Sequence, residues 1–131
     1  MRLQQVLKYK TSNDLPTQVY PALSDHFVTL THTLRDADLP STLAGVIGIF
    51  PFRKPRTEPD SVSFFTFSSN RTAYAALRDV EEIFAEFYLR TGVLPYLNPM
   101  PRSFYLNPDT LPRKTRTLFG KQGAFIYGTE E

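Results

Sequence analysis

The chain has no cysteine and no tryptophan, two histidines, and six glycines in 131 residues. Without cysteine there is no disulfide, thiol nucleophile or thiolate zinc site, so stability must come from packing or from partners. A reducing cytosol is the compartment such a chain fits most easily. With tryptophan missing, burial falls to eleven Phe and seven Tyr, in a chain whose hydrophobic share of 41% is too high for wholesale disorder. Long apolar runs are missing as well. "LAGVIGIF" at 43–50 is far too short to cross a bilayer, and "MRLQQVLKYK" lacks the apolar stretch of a secretory signal. The expectation is a soluble protein, cytoplasmic or within a viral particle, with no membrane partner. The length suits one ordinary domain with a real core.

Charge is unevenly distributed. Residues 95–128 hold Arg102, Arg113, Lys114, Arg116 and Lys121 against Asp109 alone, a local net of +4 in a chain of net +2. The remainder therefore sums to −2, so a basic C-terminal third follows a near-neutral body.

Hydrophobic spacing divides the chain into elements. Leu3, Leu7 and Tyr9 on one side of "LQQVLKYK" predict a short strand. In residues 20–38, Leu23, Phe27, Leu30 and Leu34 build one helical face behind Pro21. The alternation "VTLTHTL" within it also fits a strand, which Thr29, Thr31 and Thr33 favour. The helical stripe is the longer of the two patterns. "STLAGVIGIFPF" at 41–52 is apolar on both faces and predicts a central strand, with Gly45 and Gly48 marking a bulge or a close backbone approach. "SVSFFTF" at 61–67 predicts its hairpin partner, Phe64 on one face and Phe65 and Phe67 on the other.

Residues 71–91 show the clearest pattern in the chain. Tyr74, Leu77, Val80, Phe84, Phe87 and Tyr88 form an apolar stripe between a good N-cap, Asn70, and a good C-terminal stop, Gly92. Arg78, Glu82, Glu86 and Arg90 recur every four residues on another face. Beyond Gly92, five prolines between 95 and 112 and two copies of "YLNP" predict an extended, cornered path, with short strands at "SFYL" (103–106) and "AFIY" (124–127). The order reads as an α+β fold: a split βαβ, ferredoxin-like sheet with two amphipathic helices on one face and a long hairpin. Residues 1–94 would form the compact part and 95–131 an extended basic, proline-rich arm.

Catalytic patterns are few. "FGKQG" at 119–123 has the Gly-Lys pair of a phosphate-binding loop but neither its upstream glycine nor its Ser or Thr. No nucleophile elbow, dinucleotide fingerprint or zinc-protease helix occurs. His26 and His32 are six residues apart, too badly spaced on a helix or strand to share a metal. No cofactor, metal or small-molecule substrate is expected.

The stronger coincidence is basic. "RKPRT" at 53–57, at the hairpin tip, and "RKTRT" at 113–117 are near copies, each read as a loop beside apolar strands. Arg53, Lys54, Arg56, Arg113, Lys114, Arg116 and Lys121 are the candidate contacts to a protein or nucleic-acid partner.

"SVSFFTFSSNRTAYAALRDVEEIFAEFY", a strand leading through a polar turn into an amphipathic helix, looks like the middle of tail-terminator or tail-completion proteins of tailed phages. "GVIGIFPFRK" is faintly similar to the hairpin of a small-subunit ribosomal protein, from which the helix at 71 departs. The first resemblance implies a non-enzymatic subunit of a particle, held among other protein subunits. The second implies a nucleic-acid-binding module of a ribonucleoprotein. A small metal-independent nuclease using His26 or His32 is the third expectation.

Overall fold

A computed structural model describes residues 2–15, 21–37, 39, 43–50, 61–68 and 73–128. One mixed sheet of four strands lies between two helical layers. In chain order the elements are α1 (Leu3–Val6), α2 (Pro21–Asp36), β1 (Leu43–Ile49), β2 (Ser61–Ser68), α3 (Ala73–Thr91), β3 (Leu94–Pro101), α4 (Arg102–Leu106), α5 (Arg113–Gln122) and β4 (Gly123–Gly128). The sheet order is β3-β2-β1-β4. β1 is antiparallel to both neighbours, while β3 runs parallel to β2 after the α3 crossover. The parallel pair is adjacent, so no strand splits this βαβ unit.

β1 is central, as its two-faced apolar sequence requires, and every residue from Gly45 to Ile49 is buried. Its glycines serve both expected roles. The register shifts between Leu43 and Gly45 against β2, and the ring of Tyr105 lies where a Gly45 side chain would stand. β2 sorts its aromatics as its alternation dictates, Phe64 into one core and Phe67 into the other, with the half-buried Phe65 beside Phe67.

The first core is aromatic. The Phe64 ring sits 4.9 Å from Phe84, 5.5 Å from Phe27 and 5.6 Å from Phe87, joining the sheet to α2 and α3. α2 is a helix through 28–34, and its threonines fit because each hydroxyl donates back to a carbonyl four residues earlier: Thr29 to Asp25, Thr31 to Phe27 and Thr33 to Thr29. α3 buries Val80, Phe84 and Phe87 and stops at Gly92, whose φ of 71° lies in the left-handed region. The side chains of Tyr74 and Leu77, and Asn70 itself, lie outside the described residues. Tyr88, expected in the stripe, faces solvent.

A second core, on the opposite sheet face, contains Leu3, Leu7, Ile47, Ile49, Phe67, Tyr105, Leu111 and Phe119. Helices therefore cover both faces, not one. Three expected elements change for stated reasons. Leu3 and Leu7, four apart, share a face in a helix as well as in a strand, and here Leu3–Val6 is helical with Gln5 Oε1 accepting from the Arg2 N–H at 2.8 Å. Only Tyr9 keeps strand character, bridging to Ala124 beside β4. "SFYL" is the short helix α4, closed by the Asn107 N–H donating to Ser103 O at 2.8 Å. "RKTRT" opens α5, for Arg and Lys are good helix formers and Phe119 anchors the far side in the core.

The expected arm is part of the sheet, since β3 and β4 are its two edges. Proline explains how β3 tolerates that position. Pro95, Pro99 and Pro101 fall in one phase of the strand, and lacking an N–H they suit the side that faces away from β2. Among the described residues of β3, that leaves Leu97 to offer an outward N–H.

Thr66 and Ser68 are buried polar residues whose hydroxyls have no hydrogen-bond partner among the described residues. Thr66→Val keeps the shape and removes the unpaired hydroxyl. It is expected to raise stability by about 1 kcal/mol, read as a shift in the urea midpoint. A loss of that size would show that the hydroxyl is bonded.

Candidate partner and nucleic-acid interface

Of the seven candidate residues, Arg113, Lys114, Arg116 and Lys121 share one helix, α5. Arg53, Lys54 and Arg56 lie outside the described residues. Along α5, Phe119 points into the second core, and the outward arc carries Arg113, Lys114, Thr117, Gly120 and Lys121, all exposed.

Arg116 differs from the others. Its guanidinium donates to Asp109 Oδ1 at 2.9 Å and to Pro108 O at 3.3 Å, and its Nε is buried without a partner. It ties α5 to the Pro108–Thr110 turn, a structural position more than a contact site. The same bridge occupies Asp109, the single acid among residues 95–128. The cations of this face are therefore left without an acidic neighbour from their own segment.

Packing adds cations that sequence proximity did not suggest. α1 lies against α5, and the Lys8 N–H donates to Phe119 O at 2.9 Å, which brings Lys8 to the Gly120–Lys121 end of the helix. A side chain at Gly120 would stand 3.6 Å from Val6 O, an ordinary contact distance that marks how near α1 comes to this end of α5. Lys10 folds back on α1, its ammonium donating to Gln4 O at 2.9 Å and Leu7 O at 3.0 Å. Burial raises the pKa of the Tyr9 phenol, between the two lysines in sequence, above its ordinary value. The signal available beforehand was the absence of any acid in "RLQQVLKYK".

Together, residues 2–10 and 102–122 carry a formal net charge of +7 on one side of the sheet. α2 and α3, on the other side, sum to −3. Charges of one sign gathered on one layer raise a local potential that the modest net charge of the whole chain conceals.

The histidines sit on the acidic layer. His32 is exposed, and His26 borders a groove between α2 and α3 with Thr29, Leu30, Thr33, Ile83, Phe87, Glu86 and Arg90. In that groove Glu86 is engaged by Arg90 at 2.6 Å. Among the described residues no group of three or more His, Asp or Glu is placed to hold a metal ion, and no helix is long and apolar enough to cross a membrane. A separate feature surrounds the turn from α3 into β3, where Tyr88, Leu89, Leu94 and Tyr96 are 45%, 80%, 41% and 54% exposed.

No protein-family model matches the chain, and neither a curated protein nor a solved structure does.

Proposed function

We propose that the protein is a non-enzymatic subunit of a larger multi-component assembly, its nearest analogue a head–tail or tail-completion component of a phage or virion. The observation that supports this reading is the exposed apolar group Tyr88, Leu89, Leu94 and Tyr96. Scattered exposed apolar residues are ordinary, but four within one turn and its flanks match a protein contact surface. The proline-blocked outer side of β3 disfavours strand addition, so a neighbour would meet these side chains instead of the backbone.

Light scattering after size-exclusion chromatography tests this. The wild type is expected to associate as concentration rises, and Leu89→Ser with Tyr96→Ser to weaken association about tenfold or more without unfolding. A wild type that stays monomeric at high concentration and is recovered from its source without a companion would overturn the proposal.

A second reading is a nucleic-acid-binding module, such as a ribonucleoprotein component. The +7 layer formed by residues 2–10 and 102–122 favours it. A basic face on a near-neutral protein is the electrostatic footprint expected of contacts to phosphates.

A further inference from the structure

We propose that the outward arc of α5, extended by Lys8, is a docking face for the phosphate backbone of a nucleic-acid duplex, engaged without reading sequence. The inference rests on the nucleic-acid reading above and assigns it a site and a mode.

Residues of a helix are turned by about 100° from one to the next, which gathers Arg113, Lys114, Thr117 and Lys121 on one side when Phe119 faces the core. The cations stand at the two ends of this arc. Between them are Thr117 and Gly120, small residues that let a polymer backbone lie close to the helix. Lys8 reaches the Lys121 end through the α1–α5 contact. The acid nearest in sequence, Asp109, is already neutralised by Arg116.

The position of two of these cations is informative. Arg113 and Lys114 occupy the first turn of α5, which holds no acidic residue and has Pro112, with no side-chain cap, before it. The positive end of the helix dipole is the least favourable place on a helix for positive charge. Local stability does not account for them; attraction of an anion does, because the dipole and both side chains then act with the same sign. The arc also carries no aromatic ring to stack on bases and no amide to read their edges. Its contacts are to phosphates, so binding follows charge density and a duplex outcompetes a single strand.

The test is titration of a fluorescent 20-base-pair duplex at several salt concentrations. The wild type is expected to bind with a salt slope that falls by about 3 units in the variant Arg113→Gln/Lys114→Gln/Lys121→Gln. Arg35→Gln, on the opposite layer, is expected to leave the slope unchanged. Arg113→Glu/Lys114→Glu is expected to bind more weakly by about tenfold or more while melting no lower than wild type, a combination that damage to the fold would not produce.

A wild type that does not bind the duplex at low salt defeats the nucleic-acid reading itself. A wild type that binds, with an unchanged slope in the triple variant, overturns the α5 site and leaves that reading standing. Single-stranded DNA bound as tightly as duplex overturns the backbone mode. Displacement of the duplex by polyglutamate at matched charge would identify an acidic protein surface as the occupant and overturn the proposal.

Discussion

Phe84→Ala is expected to destabilise the protein by about 3 to 5 kcal/mol, because it removes the ring packed nearest to Phe64 in the first core. Phe64 also meets Phe27 and Phe87, so the cavity would open where the sheet, α2 and α3 join. Aromatic rings on three elements cannot all move to refill it, which places the cost in the upper part of the range for large-to-small changes. Glu86→Ala on the same helix provides the contrast. Its ion pair with Arg90 is half exposed, so the change should cost less than about 1 kcal/mol. Urea titration of both variants decides the matter: equal midpoints would mean that α3 does not carry the core.

The second large effect is expected at Gly123, where α5 ends and β4 begins. An added Cβ there would stand 2.6 Å from Phe119 O and 2.8 Å from Phe119 Cα, both backbone atoms that no rotamer change can withdraw. Phe119 O accepts from Lys8 as well as from Gly123, so moving it disturbs the docking of α1 along with the helix end. Gly123→Ala is therefore expected to cost about 2 to 3 kcal/mol, as overpacking at a fixed backbone does. Thermal or urea unfolding measures it. If α5 docks as described, the variant should also expose the amides of residues 8 and 9 to faster hydrogen exchange, since their acceptors, Phe119 O and Gly123 O, lie at this junction. Wild-type stability with unchanged exchange would contradict the packing of α5 against β4.

The elements legible in the chain are those whose burial pattern has only one periodic solution. Val80, Phe84 and Phe87 repeat at helical spacing between polar residues, and α3 follows with its stop at Gly92. "LAGVIGI" is apolar on both sides, and a strand of that kind must be central. The antiparallel pairing of β1 with β2, and the opposite faces of Phe64 and Phe67, follow from alternation. In short segments the periods cannot be told apart. Leu3 and Leu7 satisfy both, and four residues of "SFYL" satisfy either, so neighbours decided: the core accepted Leu3 and Tyr105 from helices.

The basic face shows the same division. That Arg113, Lys114 and Lys121 are charged and close together in sequence could be read directly, and their freedom from acidic neighbours was nearly as plain. That they stand on a helix was hidden, because four cations in a short stretch resemble a solvated loop until Phe119 is seen to need a core. Lys8 joins them from more than a hundred positions away, through a backbone hydrogen bond to Phe119 O that no local pattern encodes. Likewise, the parallel pairing of β3 with β2 turned a proline-rich stretch into a sheet edge. Local patterning chooses an element when its period is long enough to be unique. Which charges act together depends on distance in space, and the folded chain alone sets that distance.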